Sequence, residues 1–241
     1  MIALLALAAA SSAQSAERIM SSAMLDLATE PSIAVAMSGF VSVGETKTPF
    51  TVNSYWKTAN KKVYMETLLF RGTTLVQRVV ADGSTLWSYR ASKNEFSSVA
   101  LSEENTHSKL AAQLRSLLPG QAAFIAQLWD DMYRRSSEWK AYDAFATKEV
   151  EFQPDADGNM VPVAVHATAG RPIHTWIDYL VSGSGGYFKL DEVLYEKRDV
   201  EQGQARITKW NAKIYQSFTP VEVDFTFVPP KGARSTNMGS R

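Results

Sequence analysis

Apolar and polar residues alternate along most of this chain. Between Ile33 and Val43, most apolar side chains stand at every second position with Ala or Ser between them, which predicts a strand with one buried face. Segments rich in β-branched and aromatic residues follow, and short turn signals such as Asp82-Gly83-Ser84 separate them. This succession predicts an antiparallel meander, with further strands at 50–57, 62–70, 75–81, 85–90, 95–100, 146–153, 160–168, 173–181, 186–197, 204–214 and 223–228.

Two parts of the chain have a helical period instead. Apolar residues spaced three and four apart between Met20 and Leu27 predict a short amphipathic helix that ends before Pro31. Residues 102–137 predict two helices broken at Pro119-Gly120, each with a wide apolar stripe. The stripes are Leu110, Leu114, Leu117 and Leu118 on the first helix, and Phe124, Ile125, Leu128, Trp129 and Met132 on the second.

The N-terminal residues have the pattern of an export signal. A short apolar run, Ile2 to Ala10, precedes Ser11-Ser12-Ala13, which predicts a signal peptide over residues 1–15 with cleavage after Ala13 or Ser15. The run is shorter than the about 20 apolar residues that span a bilayer. No Lys or Arg precedes it, so either the start is truncated or the terminal amine supplies the charge. An Ala-rich first helix is the alternative interpretation.

Export implies a periplasmic protein that is soluble and not anchored by a lipid. No linker is long or biased enough to divide the remaining chain, so we expect residues 16–233 to fold as a single domain and residues 234–241 to form a polar tail. The sequence contains no cysteine, which excludes disulfides, thiol nucleophiles, thiolate metal sites and a lipid-attachment cysteine. Lys plus Arg and Asp plus Glu are balanced at 25 each, so no net charge indicates nucleic acid as a partner.

No catalytic or metal-binding constellation is visible in the sequence. The histidines are His107, His166 and His174, and no acid cluster with metal-ligand spacing lies near them. The segment Asp155 to Asn159 lacks the distal Glu of a calcium loop and predicts a hairpin turn. We therefore expect a protein that is not an enzyme and binds no cofactor or metal.

Two segments resemble the outer-membrane lipoprotein carrier family, the LolA-like proteins. One is the strand–turn–strand segment Val79-Val80-Ala81-Asp82-Gly83-Ser84-Thr85-Leu86-Trp87-Ser88-Tyr89, and the other is Phe225-Thr226-Phe227-Val228-Pro229-Pro230-Lys231-Gly232-Ala233. The order of elements along the chain is also similar to that of the family. The resemblance implies an α+β, mainly β fold: a curved antiparallel half-barrel with helices covering its concave face. Between helices and sheet, family members have a hydrophobic cavity for the acyl chains of lipoproteins or lipids.

The resemblance implies a carrier or binding protein for an acylated ligand, with transient membrane contact during loading and delivery. The alternative is an envelope sensor or scaffold that uses the same fold to regulate a partner protein. Asn60 to Tyr64 replaces the family's Arg-Pro-Asn type segment, which favours a paralogue with another hydrophobic ligand. We expect the ligand to contact apolar side chains from the sheet and the middle helices: Val35, Met37, Trp56, Trp87, Leu117, Phe124, Leu128, Trp129 and Met132.

Overall fold

A computed structural model describes residues 2–101, 106–133, 139–143, 146–170, 173–217 and 223–236. For residues 2–15 and 106–108 it describes the backbone only, so the predicted cleavage sites and the side chain of His107 lie outside the described side chains. Three α-helices are present in the described chain: α1 (Ile2–Thr29), α2 (Thr106–Leu117) and α3 (Ala123–Tyr133).

Twelve strands account for most of the other described residues. They are β1 (Ser32–Val43), β2 (Thr46–Ala59), β3 (Lys62–Arg71), β4 (Thr74–Asp82), β5 (Thr85–Arg90), β6 (Glu95–Ala100), β7 (Thr147–Pro154), β8 (Met160–Ala169), β9 (His174–Ser184), β10 (Tyr187–Glu201), β11 (Gln204–Gln216) and β12 (Arg234–Ser235). Consecutive strands pair antiparallel from β2 to β6 and from β7 to β11, whereas β12 pairs parallel to β6. The predicted fold class, mainly β and built on antiparallel pairing, is confirmed.

The chain divides into two compact units. The first unit comprises Met1–Thr29, Gly39–Thr48 and Arg135–Ile214, and its strands follow the order β1-β11-β10-β9-β8-β7. The second unit comprises Glu30–Ser38, Pro49–Arg134 and Tyr215–Arg241, and its order is β12-β6-β5-β4-β3-β2-β1.

Each unit buries apolar residues between helix and sheet. In the first unit α1 packs on β10 and β7, and the predicted amphipathic stripe, including Met20 and Leu27, is fully buried. In the second unit α2 and α3 pack against each other, and α3 packs on the sheet through Trp129, whose ring contacts Trp56 of β2. The helix break predicted at Pro119-Gly120 is confirmed, since α2 ends at Leu117 and α3 begins at Ala123.

One predicted strand is wrong. Residues 223–228 form no strand, although the chain from 223 to 233 runs alongside the sheet of the second unit. The side chain of Asp224 accepts the backbone N–H of Thr226 at 2.9 Å, which replaces a strand hydrogen bond with a local turn. Pro229-Pro230 then remove two backbone donors, so regular pairing resumes only at β12, within the polar tail.

Candidate functional site

The site lies on one face of the β2–β5 sheet in the second unit. The register aligns Trp56 of β2 with Met65 of β3, Met65 with Ala81 of β4, and Ala81 with Leu86 of β5, so these side chains share one face. All four side chains are buried. We call this the helix-side face, because α3 packs on it.

Trp129 is the main contact between α3 and this face. Its ring is 1% exposed and meets the ring of Trp56 edge to face, with centroids 5.2 Å apart and planes at 84°. Tyr133, one turn further along α3, packs on Trp129 at 4.6 Å and is hydrogen-bonded to Thr58 of β2. Burial raises the pKa of the Tyr133 hydroxyl, and the hydrogen bond with Thr58 only partly offsets this effect.

A small recess of about 10 Å³ lies beside these aromatic rings. It is lined by Trp56 and Thr58 of β2, by Trp129, Met132 and Tyr133 of α3, and by the chain from Glu30 to Ile33. This space is enough for about one water molecule and far too small for an acyl chain. At the recess, α3 therefore lies directly against the sheet.

The joint between α2 and α3 is short and contains a glycine in the left-handed region. Gly120 has φ 56°, and no atom lies within 4 Å of the position that a Cβ would take. Space therefore permits a side chain there, but the backbone angle favours glycine. On the surface, the guanidinium of Arg115 on α2 is paired with the carboxylate of Asp130 on α3. Such a pair links the helices weakly, since the Arg115 side chain is 43% exposed.

A row of polar side chains crosses the helix-side face below Trp56. Each of four neighbouring strands contributes one buried residue. Ser54, Thr67 and Ser88 stand in register, with Val79 of β4 between the last two, and Gln77 lies two residues from Val79 on the same face. We call these four polar residues the polar row. The hydroxyls of Ser54 and Thr67 are 2.7 Å apart, the indole N–H of Trp56 donates to Ser54 Oγ at 2.5 Å, and Gln77 Nε2 donates to Ser88 Oγ at 3.1 Å.

The structure brings most of the predicted site residues to this face. Trp56, Trp129 and Met132 line the recess together, and Phe124 and Leu128 are buried on the same helix. Val35 and Met37 are buried on β1 and alternate in step with Ile33, which also lines the recess, so they lie on the helix-side face. Leu117 is half-buried at the end of α2, whereas its neighbour Leu118 is fully buried.

Trp87 is not brought together with the others. It stands opposite Val80 in the register, and its neighbours Leu86 and Ser88 lie on the helix-side face, so Trp87 lies on the opposite face. There its ring stacks on Phe227 at 5.3 Å and its indole N–H donates to Asp82 at 2.9 Å.

The two segments that resemble the carrier family, 79–89 and 225–233, meet on that opposite face. The chain from 223 to 236, which we call the strap, crosses this face: Phe225 contacts Tyr64 at 6.1 Å, and Arg78 Nη2 donates to the carbonyl of Thr226 at 3.3 Å. Burial alone raises the pKa of Asp82, but hydrogen bonds from Trp87 and from the Ser84 turn outweigh it and hold the pKa below its usual range. The two segments thus pack on each other and hold the strap on the sheet.

A second space lies at the edge of the strap. This cleft has a volume of about 360 Å³ and is lined by Lys57, Tyr64 and Asp82 from the sheet and by residues 223–226 of the strap. Its lining mixes charged, aromatic and small side chains, and the recess also has polar residues at its edge, among them Glu30, Lys57 and Thr58. We take the helix-side face as the candidate site for an apolar ligand because Trp56, Met65, Ala81 and Leu86 make its interior buried and apolar.

Sequence reasoning missed the polar row, although the signal was present. Ser54 stands between Val52 and Trp56 in a period-two pattern, and Thr67 stands likewise between Met65 and Leu69. A polar residue at a position where alternation requires a buried one indicates a hydrogen-bonded group in the interior.

His166 takes a structural position, and His174 is exposed on β9. His166 Nδ1 lies 2.8 Å from Asp178 Oδ1, and His166 Nε2 lies 3.1 Å from Glu151 Oε2. Burial lowers the pKa of His166, but the two carboxylates together outweigh it and raise the pKa above its usual value. Within the residues that the structure describes, no three His, Cys, Asp or Glu side chains are grouped to hold a metal ion. Across the same residues, no helix combines the length and apolarity needed to cross a membrane.

Comparison with known proteins finds similarity only among solved structures. No protein-family model matches the chain, and no curated protein matches it. The chain is similar to LprF from Mycobacterium bovis, at 12% identity and a TM-score of 0.38, over 91% of this chain and 97% of that one.

Two further solved structures show weaker similarity. A DUF1329 family protein from Desulfovibrio piger matches at 9% identity and a TM-score of 0.34, over 86% of this chain and 95% of that one. MucB in complex with MucA(peri) matches at 11% identity and a TM-score of 0.19, over 84% of this chain and 99% of that one. The function of this chain therefore has to be inferred from its own residues.

Proposed function

We propose that this chain is a periplasmic, LolA-like carrier or binding protein that holds the acyl chains of a lipid or lipoprotein between α3 and the helix-side face, without catalysis. The single observation that carries the proposal is the contact of Trp129 with Trp56. It is an aromatic contact between a short helix and an apolar sheet face, so the chain of a lipid can replace it without breaking regular structure. The resemblance of the 79–89 and 225–233 segments to the carrier family adds support.

In this proposal α3 acts as a lid. The recess of about 10 Å³ is too small for a chain, so binding at this point requires α3 to move away from the sheet. The backbone at Pro119-Gly120 is the natural hinge, since the left-handed glycine there belongs to neither helix. A movement at this hinge separates α3 from α2, so it has to break the weak surface pair between Arg115 and Asp130.

The energetics allow such an exchange. Burial of an acyl chain contributes about 0.8 kcal/mol per methylene, so about twelve methylenes contribute roughly 10 kcal/mol. Six residues of α3 are buried, Phe124, Ile125, Ala126, Leu128, Trp129 and Met132, and fully exposing each large side chain costs roughly 1.5–3 kcal/mol. The exchange is therefore favourable only if these side chains contact the acyl chain after α3 has moved, so that they stay out of water.

The proposal is tested on full-length protein purified from a periplasmic extract. Native mass spectrometry is expected to show a fraction of molecules with bound lipid, and delipidated protein is expected to bind a fluorescent fatty acid. Binding should quench tryptophan fluorescence, because Trp56 and Trp129 are at the site. Protein that is always ligand-free and ignores fluorescent fatty acids at micromolar concentrations would contradict the proposal.

A further inference from the structure

The cleft at the edge of the strap lies on the face of the sheet opposite α3, and the acyl site makes no use of it. Its sheet wall contains Lys57, Tyr64 and Asp82, which stand side by side in register on β2, β3 and β4. Residues 223–226 of the strap form its other wall. A volume of about 360 Å³ is in the range of sites that hold small molecules.

The aromatic part of the cleft is fixed in place by the protein itself. A Cβ added at Gly83 would lie 2.9 Å from the ring of Tyr64, so only glycine lets the β4–β5 turn approach that ring so closely. The φ of 89° at Gly83 also favours glycine. Phe225 of the strap packs on the same ring at 6.1 Å with the planes at 59°. The Tyr64 ring is therefore held in position before any ligand arrives.

One end of the cleft carries unpaired positive charge. Among the described residues, Lys57, Lys61 and Lys62 are exposed, and none of them has an ion pair with a carboxylate. Lys57 lines the cleft, and Lys62 stands opposite Ala59, which also lines it. Lys61 has a φ of 62° in the β2–β3 turn, where hairpins favour glycine. The turn thus places a lysine at this end in spite of an unfavourable backbone angle.

The other end of the cleft carries two carboxylates. Asp82 is two strands from Lys57, a separation of roughly 10 Å, and Asp224 lies on the strap. Hydrogen bonds from the Thr226 side chain and backbone hold the pKa of Asp224 below its usual range, so this group is ionised at neutral pH. Asp224 accepts only these two hydrogen bonds, at 2.7 and 2.9 Å, although a carboxylate can accept about four. It can therefore accept more from a cationic ligand group.

We propose that this cleft binds a short zwitterionic peptide, with the terminal carboxylate at Lys57 and the terminal ammonium at Asp82 and Asp224. An extended chain spans about 3.3–3.6 Å per residue, so about three residues cover the roughly 10 Å between the two ends. The body of the peptide then lies on the rings of Tyr64 and Phe225. An acyl chain is a poor match, because it would cover charged groups without pairing them. This inference does not depend on acyl binding at the helix-side face.

The test uses trialanine and two analogues that each lack one charge. N-acetyl-trialanine has no ammonium, and trialanine amide has no carboxylate. Dissociation constants are measured at neutral pH by NMR titration of the full-length protein. We expect trialanine to bind, and each analogue to bind about fivefold more weakly, as suits the loss of one partly exposed ion pair. O-phosphoethanolamine has its charges closer together and should also bind more weakly; tighter binding than trialanine would overturn the assignment to a peptide.

Two variants assign the ends of the peptide. Lys57→Gln should lose about fivefold in affinity for trialanine and for N-acetyl-trialanine, and should keep its affinity for trialanine amide. Asp224→Asn should show the converse pattern, with only N-acetyl-trialanine unaffected, and its amide oxygen can still accept the N–H of Thr226. The matched control is Lys93→Gln, which removes an exposed lysine of the second unit that does not line the cleft. All three affinities of this control should equal those of the wild type.

The outcomes separate this inference from the proposed function. If trialanine does not bind, or if it binds no better than either analogue, the inference is overturned. Equal losses in Lys57→Gln and Lys93→Gln would overturn it too, because the effect would then follow net charge and not the cleft. Asp224→Asn should keep wild-type affinity for a fluorescent fatty acid, since the strap and α3 lie on opposite faces of the sheet. Peptide binding by a protein that ignores fatty acids would support this inference while the acyl proposal fails.

Discussion

Replacing Trp129 by alanine tests the lid directly. The ring is 1% exposed, and truncating a buried Trp costs about 3–5 kcal/mol of folding free energy. About 0.5–1.5 kcal/mol of that loss comes from the edge-to-face pair with Trp56. In a chain of this size, the loss lowers Tm by about 6–20 °C. If Trp129 also covers the bound chain, lipid affinity should fall by about 1–3 kcal/mol, which is about 5–150-fold in Kd.

A matched variant separates stability from binding. Trp139 is a buried Trp in the first unit that meets Tyr179 edge to face at 4.9 Å and 83°, almost the same geometry as the Trp129–Trp56 pair. Trp139→Ala should therefore lower Tm by a comparable amount and leave lipid affinity unchanged. Both variants are measured by thermal unfolding and by titration with a fluorescent fatty acid, at a temperature where each is folded.

The decisive result is the affinity of the folded Trp129→Ala protein. Lost stability together with wild-type affinity would show that Trp129 is ordinary core, and the lid would be refuted. Equal losses of affinity in Trp129→Ala and Trp139→Ala would refute it as well, because the effect would then follow stability and not position. Trp129→Phe should lie between alanine and wild type in both measurements, since it keeps an aromatic ring beside Trp56.

Three further perturbations have expected outcomes. Gly39→Ala should prevent stable folding, because its Cβ would lie 2.2 Å from the backbone carbonyl oxygen of Lys209; near-normal expression and Tm would contradict this. His166→Gln should lower Tm most at about pH 5. The raised pKa of His166 in the folded protein stabilises the fold below the unfolded-state pKa of about 6.5, and this stabilisation is lost as pH rises through the folded-state pKa. A Tm difference that does not depend on pH would exclude this linkage. Asp82→Asn should lower Tm at neutral pH, and the Tm difference from the wild type should shrink as pH falls below about 4. The reason is that the lowered pKa of Asp82 stabilises the folded wild type only while this carboxyl group is ionised. A Tm difference that stays the same in acid would show that charge is not the cause.

Local pattern was sufficient for most elements of this fold, with the exception of the segment 223–228 and of β12. The helix break at Pro119-Gly120 was predictable because proline lacks the N–H that continues a helix and glycine accepts the left-handed angle seen at Gly120. The strands from β1 to β11 were predictable within a few residues, because alternating burial leaves a period of two in the sequence. The hairpin at 155–159 followed from the ability of Asp155 to accept nearby backbone N–H groups, at 2.8 Å from Asn159 and 3.0 Å from Asp157.

Tertiary structure alone decided on which face of the sheet each aromatic residue lies. Trp56 and Trp87 look alike in sequence, since each is a Trp in a strand of alternating character, but the register places them on opposite faces. A shift of one residue inverts a strand's facing, and only the pairing of neighbouring strands settles it. The segment 223–228 has the composition of a strand, yet it packs its aromatic rings on Trp87 and Tyr64 and takes no place in the sheet order. The strap packs on strands that lie more than a hundred residues away in the sequence, and a local pattern contains no record of that distant partner.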